Sequence, residues 1–438
     1  MQFKSIKLIF LIGLLLAGCT APTPKKPNPA AKGQLTPAQA AAMFPATAPE
    51  AVDVDTSAVL DGLKAPVSEE EPPSQAPKPD QAAGAQAYKI VRVLLADNQS
   101  EAEIKHSGRV YIYTQNLDKK YKVSAAGTLA VRFAGNGQVQ VGSLKTNQPV
   151  ILEPAKDTLL TWKDNVYAGK IFILPAQHTF LLIEHVDLET YLYGVLPYEM
   201  SYSWPIEALK AQAVAARTYT LKTIEHSKKT YFDLYSDVRS QMYKGGGKQY
   251  PSVKTAVDAT QNQVLMYEGK LFYTYYHGNC GGGTDDVHSW NPAAKTIKPL
   301  AGASCAYDSH SKNHSWKQDI PNSKIISVAR GVGLGGTLKN VKVAQKTHTG
   351  RATKVTIQTS KGSKTVSCNK FRLAIGLKSC KIKKINMLKG STHIEGSGYG
   401  HGIGMCQDGA NGMAKAGKTY EQILKNYYPG SKLTPLTK

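Results

Sequence analysis

The sequence lacks an apolar run long enough to form a permanent transmembrane helix. Its most apolar stretch, residues 8–16, falls well short of the ~20 residues that a bilayer requires. Acidic residues are also scarce, with 32 Asp and Glu against 54 Lys and Arg and a formal net charge of +22. Residues 1–87 are nearly balanced, so the excess lies in the remainder of the chain. A balance this basic favours an anionic polymer or surface as partner.

The first nineteen residues are typical of an export signal. Lys4 and Lys7 precede the apolar run, and Leu16-Ala17-Gly18-Cys19 ends it with small residues before a cysteine, which resembles the lipobox of bacterial lipoproteins. The sequence therefore predicts an exported protein, anchored to the cell envelope through a lipid on Cys19. The alternative is an ordinary secretory signal with an incidental cysteine. An exported protein rarely meets nucleic acid, so we expect peptidoglycan carboxylates or anionic lipid instead.

Residues 20–87 are nearly devoid of aromatic side chains. They contain more than half of the 23 prolines, with Phe44 as the single aromatic. Such a segment buries too little apolar surface to offset its ordering entropy. We predict a disordered tether that gives the following domain reach.

From residue 88 onward the pattern predicts an α+β fold. Residues 88–186 hold short β-prone runs with glycine turns, typical of antiparallel strands. Residues 187–432 mix helices and strands, and we expect them to surround a cleft. The predicted helices are 203–224, capped by Ser203, 251–261, and 420–427, capped by Thr419. A hairpin turning at Glu268-Gly269 is predicted for 264–276, and strand-like runs for 325–395.

Four sequence blocks resemble a known family. They are residues 187–219 (DLETYLYGVLPYEMSYSWPIEALKAQAVAARTY), 240–245 (SQMYKG), 276–285 (YHGNCGGGTD) and 398–410 (GYGHGIGMCQDGA). In this order they are similar to the stage II sporulation protein D/LytB family of wall-active proteins, over roughly 88–432. Gly283 and the region of Gln249-Tyr250 depart from the family pattern, which affects local substrate contacts.

The resemblance implies a lytic transglycosylase that cleaves glycan strands stripped of their stem peptides. That reaction needs one carboxylic acid, and the family's catalytic glutamate falls on Glu199. Such an acid must hold its proton near neutral pH, which requires a partly desolvated setting. The residues around Glu199 predict a loop between Pro197 and the next helix. If Glu199 were not catalytic, its negative charge there would interact favourably with the dipole of that helix. No cofactor is expected for the cleavage.

Four further residues are predicted to bind substrate: Arg217, Gln241, His401 and Gln407. Arg217 lies late in an alanine-rich helix and therefore needs either a substrate or a buried partner, for which Glu189 is the candidate. His401 and Gln407 lie in a glycine-dense block where backbone can approach a ligand closely. The alternative for His401 is a structural histidine in a tight turn.

Five cysteines remain after Cys19. Cys368 and Cys380 are predicted to form a disulfide, which leaves Cys406 as the odd thiol. Some family members resemble zinc proteins near the third block, so His277, Cys280 and Cys305 are candidate ligands of a structural zinc. A Cys280–Cys305 disulfide is the equal alternative.

Two functions from different classes follow. The first is the lytic transglycosylase, with Glu199 as general acid and base. The second, implied by the LytB-like branch of the family, is a non-catalytic peptidoglycan-binding modifier that stimulates a cell-wall amidase. The presence of Glu199 in the Glu-Met position favours the first.

Overall fold

The computed structural model describes residues 90–116 and 120–436. Cys19, the predicted signal segment 1–19 and the predicted tether 20–87 lie outside the described residues. Helices and sheets are both abundant in the described part, which confirms the α+β class. No helix within these ranges has the length and apolar character needed to cross a membrane.

Residues 90–187 form two antiparallel sheets. Their strands are β1 Ile90–Gln99, β2 Glu101–His106, β3 Val110–Thr114, β4 Lys120–Val123, β5 Gly127–Phe133, β6 Val139–Val141, β7 Leu144–Thr146, β8 Val150–Pro154, β9 Leu160–Trp162, β10 Asn165–Tyr167, β11 Lys170–Pro175 and β12 Phe180–Asp187. The period-2 alternation is clear in β2, where every second side chain is buried. The six-stranded sheet runs β10-β9-β2-β5-β6-β7.

The next part of the chain is mainly helical and packs on these sheets. It contains α1 Leu188–Glu199, α2 Ile206–His226, β13 Leu234–Tyr235, α3 Pro251–Ala259, β14 Gln263–Tyr267, β15 Lys270–Leu271, β16 Tyr276–His277, α4 Val287–Trp290 and a 3-10 turn at Lys298–Leu300. β13 joins the seven-stranded sheet, whose order is β13-β1-β12-β11-β8-β3-β4. Buried side chains surround α2 almost completely, and its alanines let neighbouring helices approach closely.

The remaining elements include a segment with a hydrophobic core of its own. They are β17 Trp316–Pro321, α5 Asn322–Gly331, β18 Leu338–Lys346, β19 Ala352–Thr359, β20 Gly362–Ser367, α6 Cys368–Ile375, β21 Lys381–Met387, β22 Ser391–Ser397, β23 Met405–Cys406, α7 Gln407–Lys415, α8 Tyr420–Tyr427 and β24 Lys432–Pro435. β17 to β22 and the two helices between them enclose a second core around Phe371 and Val355. The predicted Cys368–Cys380 disulfide is present and ties α6 to the start of β21.

Two of the predicted helix limits are wrong. Ser203 does not cap α2, which begins after Pro205, and the Ser203 hydroxyl instead bonds that of Ser201 at 2.8 Å. A residue that precedes a proline is disfavoured in the helical region, so the helix cannot extend back through Trp204. Glu199 lies at the end of a helix rather than on a loop, because α1 continues through Gly194 and Pro197. The nearly complete burial of α1 compensates for the backbone hydrogen-bond donor that Pro197 lacks.

Other local predictions fare unevenly. The Glu268-Gly269 turn is confirmed, with positive φ at both residues as a tight hairpin requires. The second strand is only two residues long, and Tyr276 pairs instead with Met405. Residues 325–395 contain the helices α5 and α6 besides strands, since each helix has an apolar face for the second core. The helix at 420–427 and its Thr419 capping box are confirmed.

Candidate active site around Glu199

Glu199 is positioned by the close approach of α1 to the segment 242–246. Asp187 caps α1 by accepting hydrogen bonds from the N–H groups of Glu189 and Thr190. A Cβ at Gly194 would lie 2.5 Å from the carbonyl oxygen of Gly245, so only glycine permits this approach. The approach places the Met242 N–H 3.0 Å from Oε1 of Glu199.

The Glu199 side chain is nearly buried, with 6% of the residue exposed. Burial raises the pKa of its carboxyl to about 7, against the hydrogen bonds from the Met242 N–H and the Gln407 side chain, which favour the charged form. Gln407, one of the residues predicted to bind substrate, thus lies beside Glu199 in the fold. A carboxyl in this state keeps much of its proton at neutral pH and still loses it readily.

Tyr276 lies against the same carboxyl. Its hydroxyl donates to Oε1 of Gln241 at 2.7 Å, while the Gln241 amide donates to Thr220 at 2.8 Å and to the Tyr191 hydroxyl at 3.2 Å. The hydrogen bond between Tyr276 and Glu199 favours the charged form of the carboxyl, so it opposes the effect of burial on the Glu199 pKa.

Gln241 and Arg217 do not fit their predicted role as substrate contacts. Gln241 is 1% exposed, and its amide is already engaged on both sides. Arg217 is fully buried and donates to both carboxylate oxygens of Glu189 and to the Gln263 carbonyl oxygen. The alternative pairing with Glu189 is therefore the one formed. Gln241 bonds Tyr276, which lies against Glu199, whereas Arg217 joins α2 to the start of α1 through Glu189.

His401 lies apart from Glu199, among aromatic rings. It is 3% exposed, its Nδ1 accepts from the Ile403 N–H at 3.0 Å, and its ring centre is 5.3 Å from those of Trp290 and His277. Tyr275 and His277 face His401, whereas Tyr276 faces Glu199. The hydrogen bond and ring contacts of His401 in the described structure do not involve Glu199.

A second buried glutamate was not singled out by the sequence. Glu184 lies in β12, is fully buried, and accepts from the Tyr243 hydroxyl at 2.7 Å and the Gly169 N–H at 2.9 Å. Burial raises the pKa of its carboxyl to about 7 as well. A raised pKa therefore does not distinguish the two acids. The two acids differ in exposure, since Glu184 is fully buried and Glu199 is 6% exposed. An acid at an inward-facing strand position is the signal by which it could have been found.

The cysteine predictions need correction. Cys280, Cys305 and Cys406 are all free thiols, so the Cys280–Cys305 disulfide is not formed. With Asp308 they form a buried cluster whose four candidate ligand atoms lie within 4.8 Å of one another. His277 is not one of these four residues: its Nδ1 donates to the Ile403 carbonyl oxygen at 3.1 Å, and its Nε2 has no partner within the described structure. Cys406 and Asp308 join the cluster only because the fold brings 280, 305–308 and 406 together.

A concave surface lies beside the Glu268-Gly269 hairpin and α4. A cavity of about 490 Å³ is lined there by tyrosine, phenylalanine and lysine side chains, among them Tyr273, Tyr275 and Lys222. Glu199 does not line it. This cavity is therefore not the cleft predicted around Glu199, and that cleft stays a prediction.

The chain is similar to several known proteins. A family model described as stage II sporulation protein matches residues 176–267, which include α1, Glu199 and Gln241. An uncharacterised protein of Brachyspira hyodysenteriae is 31% identical over 349 residues, covering 78% of this chain and 92% of that protein. The amidase enhancer of Bacillus subtilis is 31% identical over 293 residues, covering 56% of this chain and 40% of the enhancer. Stage II sporulation protein D of the same organism is 28% identical over 271 residues, covering 58% and 76%.

The chain belongs to the stage II sporulation protein D/LytB family. It spans less than half the length of the amidase enhancer.

Proposed function

We propose that this protein cleaves peptidoglycan glycan strands as a lytic transglycosylase, with Glu199 as the acid and then the base. The observation that carries the proposal is a nearly buried carboxyl whose pKa is raised to about 7, at the glutamate on which the family resemblance places the catalytic acid. The relatives named for sporulation and amidase enhancement are consistent with a role at the cell wall.

The proposed reaction uses a single carboxyl group twice. Protonated Glu199 gives its proton to the glycosidic oxygen as the bond from that oxygen to C1 of the muramic residue breaks. The resulting carboxylate then takes the proton of the C6 hydroxyl as its oxygen bonds to C1, which closes a 1,6-anhydro ring and restores the acid. No water is consumed. The Met242 N–H and Gln407 stabilise the carboxylate between the two steps.

A digestion of denuded glycan strands tests the proposal. Wild-type protein should release 1,6-anhydromuramyl products, detectable by mass spectrometry, and Glu199→Gln should reduce their rate at least 10²-fold because glutamine cannot transfer a proton. Glu184→Gln is the matched control, since it removes a second buried acid of equal pKa and should retain activity. Absence of products from wild type, or equal activity of Glu199→Gln, would overturn the assignment.

The second candidate is a glycan-binding modifier that stimulates an N-acetylmuramoyl-L-alanine amidase. It is favoured by the similarity to the Bacillus subtilis amidase enhancer. It predicts binding to wall glycan without product release, and faster hydrolysis by an added amidase that is unaffected by Glu199→Gln. The same digestion, repeated with and without amidase, separates the two functions.

We also propose that the protein works outside the cytoplasm, held to the envelope by a lipid on Cys19. The basic character of the folded part fits the anionic wall polymer. From Asp319 to Glu395 the chain has no other acidic residue, while lysines recur throughout. Metabolic labelling with a radioactive or alkyne-bearing palmitate should mark wild type and not Cys19→Ala.

A structural zinc at Cys280, Cys305, Asp308 and Cys406 is a further proposal. Three thiols and a carboxylate suit zinc, and the Cys406 sulfur accepts N–H bonds from Cys280 at 3.2 Å and Gly409 at 3.3 Å, as thiolate ligands do. The ion would stabilise the fold and takes no part in catalysis.

Metal analysis of purified protein tests the zinc proposal. We expect about one zinc per chain, lost in Cys406→Ser and kept in His277→Asn. Zinc retained in Cys406→Ser but lost in His277→Asn would contradict this ligand set. Absence of zinc from wild-type protein, with three titratable thiols, would contradict the site itself.

A further inference from the structure

A completely buried guanidinium, that of Arg372 in α6, has no acidic partner among the described residues. Arg372 is 1% exposed, and its side chain bonds only the Oδ1 of Asn369, from Nη2 at 2.9 Å and Nε at 3.3 Å. Burial and the charge of Arg351 lower its pKa to about 10, so it remains protonated at neutral pH. A buried charge without a counter-charge is strongly unfavourable.

The surroundings supply no acid to neutralise it. Arg351 lies beside Arg372, is 4% exposed, and is paired with Asp285 through its Nε at 2.8 Å. Asp285 is therefore already committed, and it also accepts from the Thr349 hydroxyl at 2.7 Å. Since the chain has no acidic residue between Asp319 and Glu395, α6 and its flanking strands contribute none. The pair of guanidiniums keeps one positive charge in excess.

A small cavity beside these two arginines is lined by polar atoms without a partner. Its volume is about 20 Å³, enough for one group the size of a water molecule. Four buried atoms of its lining make no hydrogen bond within the described structure: Arg351 Nη1, His401 Nε2, Trp290 Nε1 and Thr353 Oγ1. Buried polar groups normally have partners, so four together at one cavity point to a bound ligand.

We propose that this cavity binds a small anion, either a chloride-sized ion or the end of a carboxylate group. Arg351, Arg372 and Trp290 would each donate to it, and the Thr353 hydroxyl and His401 complete the donor set. The size of the cavity excludes sulfate and phosphate. The lining of the site does not include Glu199, and the site does not depend on the proposed cleavage reaction.

The source of the anion is either the solution or the glycan. A glycan strand stripped of stem peptides carries a free lactyl carboxylate on every muramic residue, whereas a peptide-bearing strand has an amide there. N-acetylmuramic acid and N-acetylglucosamine differ in this carboxylate and so distinguish the two sources.

Thermal unfolding of the whole protein at constant ionic strength tests the site. Relative to sodium sulfate, chloride or acetate at ten times its dissociation constant should raise the Tm of wild type by about 2 °C. Arg372→Met should abolish this difference. Lys370→Met is the matched control, because it removes an exposed positive charge from the same helix and should keep the shift. A rise in Tm with N-acetylmuramic acid but not with N-acetylglucosamine would assign the site to the glycan. A rise in Tm with chloride or acetate alone would assign it to a free ion.

A second measurement does not depend on how well the variant folds. Chloride-35 line broadening should be seen with wild-type protein and reversed by acetate. Equal Tm values in all salts together with unbroadened chloride would overturn the proposal, as would a salt response that persists in Arg372→Met.

Discussion

Replacing Glu199 with glutamine is expected to stabilise the folded protein at neutral and alkaline pH. The pKa of Glu199 is raised from 4.5 to about 7 because its charged form is desolvated. Folding therefore favours protonated Glu199, and the stability that this protonated form contributes is fully present below pH 4.5. It is lost as the pH rises from 4.5 through 7.

The magnitude follows from the size of the shift. One pKa unit corresponds to about 1.4 kcal/mol, so a rise from 4.5 to about 7 amounts to roughly 3 kcal/mol of unfolding free energy between pH 4.5 and pH 8. Glutamine resembles the protonated acid and carries no such penalty. Glu199→Gln should thus match wild type near pH 4.5 and exceed it by about 3 kcal/mol at pH 8, or about 4 °C in Tm.

The assay is urea unfolding of wild type and Glu199→Gln at several pH values between 4.5 and 8. Glu225→Gln is the control, because Glu225 is an exposed helix acid paired with Lys222 and its loss should change stability by under about 1 kcal/mol at any pH. Parallel pH profiles for wild type and Glu199→Gln would refute the reasoning, since they would mean that Glu199 ionises as freely in the folded as in the unfolded chain. A variant that is more stable and yet inactive would be the expected signature of an acid kept for function.

Two other perturbations test how the site is supported. Arg217→Met should destabilise the protein by about 3 kcal/mol, because it leaves the Glu189 carboxylate nearly buried without its partner. Urea unfolding of this variant, of Glu189→Gln and of the double variant Arg217→Met/Glu189→Gln measures the coupling between the two residues. The double variant should be more stable than Arg217→Met alone. A double variant as unstable as the sum of the singles would contradict a direct pair. Removing the disulfide with Cys368→Ser and Cys380→Ser should lower the unfolding free energy by about 3 kcal/mol, because the bond closes a loop with a sequence separation of 12 and so restricts the unfolded chain. Urea unfolding measures this loss, and glycan cleavage should stay intact. An unchanged unfolding midpoint would mean that the second core holds this segment unaided.

Local chemistry alone determined several elements of this protein. The helix at 420–427 was predictable to the residue, because Thr419 and Gln422 form a capping box over a four-residue span. The tight turn at Glu268-Gly269 was also predictable from local chemistry, since a two-residue hairpin turn needs positive φ at both positions and glycine accepts it readily. Glu199 as the candidate acid came from a matched block, while its own neighbours indicated only a loop carboxylate.

Tertiary structure decided what depends on burial and on distant segments. α1 remains helical through Gly194 and Pro197 because the fold buries it, and the same burial raises the pKa of Glu199. Spacing along the chain offered His277 as a metal ligand, whereas the fold brings Cys406 and Asp308 to the two other thiols.

The sequence alone likewise did not show which of the two buried arginines has an acidic partner. Arg217 meets Glu189, so its charge is neutralised within the protein. Arg372 meets only Asn369, because no acidic residue lies in the segment that folds around it. Sequence fixes which charges a chain carries, but only packing decides which of them are left for a ligand to neutralise.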